Sequence, residues 1–342
     1  MPEWLEDNAP ESDVVVSTRI RLARNLADVP FPTRITEKED VEKVHELAKS
    51  SLLVSPQFRY FRLSDMSEIS RRALIEKNII SSDLARNNLG GLIANSDESL
   101  SVMILEEDHY RIQSLKSGLA LEAAYGEADQ LDNMLSAGVD YAYDENFGFL
   151  TSCPTNVGTG LRASLMLHLP ALTAAKGMPR IISMVSKIGM TVRGAFGEGS
   201  AASGAFYQIS NQITLGVSEK EILSRLLSTV NKVMDFERST RKELYKNLGI
   251  TLEDRIWRAL GVLRHARRIS DSEAQKLISD VAFGVSLGIV PHLTAGRLYK
   301  VMMDTRPAII AERLDDPQPL KRDIARANIL REVFNIGAPE KP

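Results

Sequence analysis

The periodicity of this chain changes once along its length, and that change constrains the fold more than any other feature. DVVVSTRIRLARN (13–25) opens as a β-rich run, and SLSVMIL (99–105) alternates as a strand does. VDYAYDENFGFLTS (139–152) has the form of a hairpin turning at 144–146. PRIISMVSKIGMTVRG (179–194) is rich in Ile, Val and Met, and AFYQISNQITLG (205–216) is expected to pair with it as a hairpin. TEKE (36–39) reads as a capping box with Thr36 as N-cap and Glu39 reaching back, which predicts a helix to about Leu53. IQSLKSGLALEAAYGEADQLDNMLSAG (112–138) has helical spacing, and SEKE (218–221) is a second capping box opening a helix to about Asn247. Beyond that point TLEDRIWRALGVLRHARRIS, DSEAQKLISDVAF and PLKRDIARANILREVF are amphipathic helices with no strand among them. The expected fold class is α+β over residues 1–246, followed by an all-helical domain over 247–342, with the boundary near 248–250.

Composition narrows the function classes. The net charge is −3, so nothing draws the whole chain to nucleic acid or to an anionic membrane surface. One cysteine excludes an internal disulfide and fits a reducing compartment. The first residues, MPEWLEDNAPESD, are acidic and lack the apolar stretch of a signal peptide, and no apolar run approaches the ~20 residues of a membrane span. The chain reads as cytoplasmic, with no direct nucleic-acid or membrane partner.

Local charge is another matter. Residues 146–197 contain no Asp or Glu but hold Arg162, Lys176, Arg180, Lys187 and Arg193, a local charge of +5. A buried sheet whose few charges are basic would explain this. So would a surface that holds a polyanion, for which arginine is suited because its planar fork binds phosphate oxygens in pairs. The single thiol, Cys153, lies in this stretch at the mouth of the turn CPTNVGTGLRAS. No G-x-x-x-x-G-K-[ST] loop is present. GTGLRA (158–163) fits a dinucleotide fingerprint but lacks the acid about 20 residues on, which leaves a 2′-phosphate-binding reductase as one alternative. STRIR places Arg19 and Arg21 on one face of a strand. LEEDHYR (105–111) puts Glu107 and Arg111 at a strand end expected to enter a helix, and VRGAFGE (192–198) puts Arg193 and Glu198 around a glycine-containing turn.

These segments together resemble the phosphagen (guanidino) kinase family. S-T-R-I-R resembles its S-x-R-x-R segment, E-E-D-H-Y-R its E-E-D-H-L-R, C-P-T-N-V-G-T-G-L-R-A-S its cysteine loop, and R-G-A-F-G-E its R-G-x-x-G-E, in the same order within 14–240. The resemblance implies an antiparallel sheet flanked by helices, with ATP and Mg²⁺ as phosphoryl donor. It implies that Ser17, Arg19, Arg21, Arg111, Arg162 and Arg193 bind ATP. It also implies that Glu107 and Glu198 hold the acceptor guanidinium, with Glu107 as base, and that Cys153 lies against it. No residue is assigned to a metal. In the segment IEKNIIS (75–81), where relatives place a nucleotide-contacting histidine, the chain has Asn78. An arginine cage suits phosphoryl transfer, which needs positioning and charge neutralisation more than covalent help.

Ser17 comes almost at the start, where metabolic members carry a helical domain that encloses a small amino acid, and a different helical domain follows instead. That arrangement resembles the bacterial branch that phosphorylates arginine side chains within proteins. KRDIARA (321–327) spaces Arg322 and Arg326 four apart on one helix face, which by itself fits a solvated face or an anion site. It is similar to that branch's motif for an allosteric phosphoarginine pocket, which would use Arg322, Asp323, Arg326 and Ala327. The branch also implies protein substrates with exposed arginine and a homodimer. It further implies a zinc-binding activator protein, a Clp-type unfoldase and protease, a heat-shock repressor and a role in bacterial stress response. The apolar spacing of Ile256, Leu260 and Leu263, and of Leu320, Ile324 and Ala327, suits either a dimer contact or internal core. A small-guanidine kinase and a catalytically silent phosphoarginine-binding adaptor are the alternatives.

Overall fold

The alternating runs of the first 211 residues assemble one eight-stranded sheet. The computed structural model describes residues 4–194 and 203–335. Its strands are β1 (Val15–Arg24), β2 (Phe58–Arg62), β3 (Gly91–Asn95), β4 (Leu100–Ile104), β5 (Tyr110–Ser117), the small hairpin β6 (Tyr143–Asp144) and β7 (Gly148–Phe149), β8 (Leu161–His168), β9 (Met190–Gly194) and β10 (Phe206–Asn211). The sheet order is β2-β3-β4-β5-β1-β8-β10-β9, and every neighbouring pair is antiparallel. Helices α1 (Lys38–Leu52), α2 (Glu68–Glu76), α3 (Ser82–Arg86), α4 (Leu121–Ser136), α5 (Pro170–Ala174), α6 (Met178–Ser186) and α7 (Glu219–Leu248) surround it. A helical region follows: α8 (Ile250–His265), α9 (Asp271–Ser286), α10 (Ala295–Asp304), α11 (Pro307–Ala311) and α12 (Pro319–Asn335).

Antiparallel register sorts the side chains into two faces. Ile20, Leu22, Ile112, Leu165 and Ile209 share one face and form the main core with Leu131 of α4 and Val230 and Val233 of α7. The opposite face carries Arg19, Arg21, Gln113, Arg162 and Ser164. One end of that face is closed by the helical region, whose core takes in Phe206 of β10 and packs against Val16 and Met166. The segment holding Trp4 and Leu5 wedges between them. A Cβ at position 296 would collide with the Glu6 carbonyl, so Gly296 of α10 permits the close approach.

Ser218 and Glu221 form the expected capping box at the start of α7. The TEKE expectation fails: α1 starts at Lys38 with Glu37 as N-cap and no side-chain cap, while Thr36 Oγ1 donates instead to Glu37 Oε1 (3.2 Å). Residues 112–117 are strand, not helix. β5 is covered on both faces, Ile112 in the main core and Leu115 against Trp4 and Leu63, so its polar alternation is lost. Residues 179–194 divide into α6 and β9. Pro179 suits the first turn of the helix, and Gly189 at φ +73° ends it before the strand, which does pair with β10.

A buried charge network ties the sheet to α7. Glu237 is fully buried and accepts from Ala171 N (3.0 Å), Leu172 N (2.9 Å) and Arg241 Nε (2.8 Å). Arg241 also reaches Asp13 Oδ2 (3.1 Å) and the Asp13 carbonyl (2.9 Å). Glu237→Ala would strand a buried guanidinium and two amides, and about 3–5 kcal/mol of stability should be lost. A lowered urea midpoint measures it, and an unchanged midpoint would show that the network contributes nothing net.

Candidate active site

The register brings the arginines together. Arg21 on β1 stands opposite Arg162 on β8, and Ala23 opposite Arg111 on β5, while Arg193 on β9 pairs with Gln208. Arg19 Nη2 donates to Gln208 Oε1 (2.9 Å) and Arg162 Nη2 to Ser210 Oγ (3.4 Å). Neither of those acceptors carries charge. Burial and the neighbouring Arg162 and Arg111 push Arg19 down to about 10. Arg21 is pushed well below its ordinary value by burial, then by Arg19, Arg111 and Arg162. Arg162 is lowered by burial, Arg193 and Arg111, and Cys153 and Glu107 oppose the shift. The Nε atoms of Arg21 and Arg162 are buried with no hydrogen-bond partner among the described residues. Arg24 gives the contrast: it forms a buried pair with Asp132 (2.6 Å) and lies over the Phe149 ring. Crowding Arg19, Arg21 and Arg162 with so little carboxylate compensation is costly, and a bound anion would relieve it.

At one edge of this cage the turn between β4 and β5 meets the cysteine loop. LEEDHYR is a turn that runs into β5; the expected helix is absent. Leu105 takes φ +56° and its N–H bonds to His109 O (2.9 Å), which folds the turn tightly. Arg111 is gripped by Glu106 (2.6 Å) and Glu107 (3.1 Å). Glu106 is nearly enclosed, whereas the Glu107 side chain is 42% exposed and its Oε1 has no hydrogen bond among the described residues. Cys153 Sγ is 3.0 Å from Thr155 Oγ1, and Thr151 Oγ1 donates to the Cys153 carbonyl (2.8 Å).

What joins turn and loop is a set of residues the sequence reading passed over. Asp108 Oδ1 accepts from Ser152 N (2.6 Å) and Asn25 Nδ2 (2.7 Å). Asn25 Oδ1 accepts from His109 N (2.9 Å). His109 Nδ1 accepts from Leu26 N (3.0 Å), which leaves Nε2 to donate to Pro30 O (2.9 Å). Glu107 and Cys153 therefore sit on one rigid assembly. The glycines of GTGLRA belong to it as well: Gly158 has φ +112° and lies against the Thr214 carbonyl, where a Cβ would clash. GTGLRA leads into strand β8, not a helix, which removes the helix N-terminus that a dinucleotide fingerprint requires.

Toward the other end of β1 a cleft of about 440 Å³ opens beside Arg19. Ser17 and Asn78 line it. Asn78 takes φ +62°, a conformation asparagine tolerates, and its carbonyl accepts from Gln113 Nε2 (2.9 Å). Glu198 falls outside the described residues.

Residues 40–240 match the model of the ATP:guanido phosphotransferase C-terminal catalytic domain, and 249–342 match the protein-arginine kinase McsB C-terminal domain. The protein-arginine kinase of Caldanaerobacter subterraneus subsp. tengcongensis is 44% identical over 333 residues, covering 95% of this chain and 98% of that protein. That of Bacillus pumilus is 43% identical over 341 residues, covering 98% and 94%. This chain belongs to the protein-arginine kinase family. Among solved structures, lombricine kinase aligns with a TM-score of 0.60 and 26% identity over 70% of each chain. The duplicated taurocyamine kinase of Schistosoma mansoni gives 0.61 and 26% over 72% of this chain and 37% of that one. The architecture inferred from the motifs, an antiparallel sheet flanked by helices and followed by a helical region, is the one observed.

In this protein-arginine kinase family member the RDIARA segment lies on α12. Arg326 is buried and donates to Thr305 O (2.8 Å), Ile269 O (2.9 Å) and Asp323 Oδ1 (2.7 Å). Arg322 is half-buried, and its side chain has no hydrogen bond or ion pair among the described residues. Ile256, Leu260, Leu263 and Ala327 are internal core, while Leu320 and Ile324 are exposed.

Proposed function

We propose that the chain transfers the γ-phosphoryl group of MgATP to arginine side chains within proteins. One observation carries this reading: the guanidinium groups of Arg19, Arg21 and Arg162 crowd one sheet face with no carboxylate ion pair among the described residues, next to an exposed carboxylate and a thiol. Arg19, Arg21, Arg111, Arg162 and Arg193 would hold the triphosphate, with Ser17 and Asn78 at the nucleotide's far end. A protonated guanidinium is a poor nucleophile. Glu107 would orient it through Oε1 and take a proton from the attacking nitrogen. The P–N bond forms as the bond from Pγ to the β,γ-bridging oxygen breaks. Glu106 neutralises Arg111, so Glu107 is not fully committed to that ion pair. Cys153, and Glu198 by its motif, would pin the remaining guanidinium edges. Among the described residues no group of three or more His, Cys, Asp or Glu could hold a metal, and in this reading magnesium enters with the nucleotide.

The exposure of Glu107, and of Tyr143 and Phe147 on the β6–β7 hairpin beside the cysteine loop, favours an acceptor presented on a large surface. In the same proposal Arg322, Asp323, Arg326 and Ala327 bind phosphoarginine as an allosteric ligand, with Arg326 already oriented by backbone carbonyls. A homodimer, a zinc-binding activator, marking of substrates for Clp-type degradation and a place in the stress response belong to it by family resemblance.

Incubation with MgATP and an arginine-rich protein, with free arginine in parallel and mass spectrometry at neutral pH, tests the reading. Phosphoarginine on the protein is expected. Phosphate on free arginine alone would replace it with a small-guanidine kinase. ATP binding without transfer to either would leave an adaptor or a kinase awaiting its activator, which adding candidate partners would separate.

A further inference from the structure

Four apolar side chains stand exposed on two segments that both touch the cysteine loop. Tyr143 and Phe147 of the β6–β7 hairpin are 59% and 55% exposed, and Ile213 and Leu215, just after β10, are 47% and 49% exposed. Such residues mean little when scattered singly, but these are held together by backbone contacts. Phe149 N donates to Gly158 O (2.8 Å) and Gly158 N to Phe149 O (3.2 Å), which fixes the hairpin to the loop. A Cβ at position 148 would meet Gly158, and one at position 158 would meet Leu215 Cα. Thr159 N donates to Thr214 O (3.1 Å), and Thr214 Oγ1 lies 2.9 and 2.8 Å from the Thr155 and Val157 carbonyls. The hairpin tip is set by Asp144 Oδ1, which accepts from Asn146 N (2.8 Å) and Phe147 N (3.1 Å). Tyr143 meets the Phe149 ring edge-on at 5.3 Å, and the Arg24 guanidinium lies 3.6 Å from the centre of that ring.

Apolar groups presented on a fixed backbone bind a partner at little ordering cost. The loop they flank also carries Cys153, and Ser152 N ties it to Asp108, the neighbour of Glu107. The patch is thus continuous with the proposed acceptor site, and that continuity identifies its occupant. We propose that Tyr143, Phe147, Ile213 and Leu215 dock the substrate residues flanking the acceptor arginine, so that arginines with aliphatic or aromatic neighbours are preferred. The inference rests on the protein-arginine kinase reading and adds a sequence preference to it. An extended polypeptide advances about 3.3 Å per residue. With the guanidinium held at Glu107 and Cys153, the near neighbours of the arginine meet the patch, and a remote segment does not. A free guanidino amino acid has no flanking residues and gains nothing from the patch, which therefore favours acceptors within a polypeptide.

Two fluorescent peptides of equal length and charge test this, one with Leu and Phe beside a single arginine and one with Ser and Gly there. With MgADP present, the full chain should bind the apolar-flanked peptide about tenfold more tightly. Phe147→Ser combined with Leu215→Ser should cut that preference to within about twofold. ADP affinity and melting temperature should not change, because both side chains are largely exposed. Equal binding of the two peptides by the wild type, or a preference that survives in the double variant, overturns the inference. Undiminished binding of an arginine-free version of the apolar peptide also overturns it, by separating the patch from the acceptor site. In each of those cases phosphoarginine formed on either peptide with MgATP would still uphold the kinase reading. Transfer from MgATP to free arginine alone would overturn that reading and this inference with it.

Discussion

Arg21→Met should lower kcat about 10³-fold and yet raise the melting temperature of the nucleotide-free protein. In the absence of an anion, the Arg21 guanidinium is pressed by burial and by Arg19, Arg111 and Arg162, with only Glu106 in partial opposition. Its Nε makes no hydrogen bond among the described residues. Replacing buried ionic groups by apolar side chains of similar volume is often neutral or stabilising, by up to about 4 kcal/mol, and Arg21 lacks even the ion pair that would offset its desolvation. The same charge faces the triphosphate in the proposed reaction, where a well-placed arginine is worth about 10³-fold or more. Stability and activity then move in opposite directions, as expected where a site is strained for function. Thermal melts with and without ADP report both terms: the variant should start higher and gain less from ADP. A melting temperature several degrees below wild type would show that Arg21 is satisfied in the free protein, and the cage argument would lose its basis.

The parts of this site that the sequence made legible are those governed by short periods. STRIR puts Arg19 and Arg21 on one face because strand side chains alternate, and the register then adds Arg162. Ser218 and Glu221 cap α7 through contacts three residues apart. Asp108, Asn25 and His109 give no such signal, since their bonds join positions more than 80 residues apart. Trp4 lies still further from Gln275 and Tyr299, and only the docking of the helical region against the sheet brings it to the cavity they line. Residues 112–117 were misread for a related reason: a strand covered on both faces has no polar side to announce its period, and its apolar residues ran on into the genuine helix α4. The arginine of RDIARA expected to be half of an anion clamp, Arg326, is held by the carbonyls of Thr305 and Ile269, contacts that spacing on a helix cannot reveal.

Glu107→Gln should reduce kcat about 10³-fold, with ADP affinity within about twofold of wild type and an unchanged melting temperature. The amide keeps the size of the side chain and can still accept from Arg111, but it cannot take a proton from the acceptor guanidinium. General-base catalysis contributes about 10²–10⁴-fold, which sets the size of the effect. Stability should hold because the side chain is 42% exposed and Arg111 retains its shorter, enclosed bridge to Glu106 (2.6 Å). Cys153→Ser, which alters a contact to the guanidinium and no proton transfer, should cost far less. The decisive readout is the split between turnover and nucleotide binding. If kcat and ADP affinity fall together, Glu107 acts by positioning Arg111 and not as a base. Near-normal turnover in Glu107→Gln would move the base to the other motif carboxylate, Glu198, and the same pair of measurements on Glu198→Gln would then decide it.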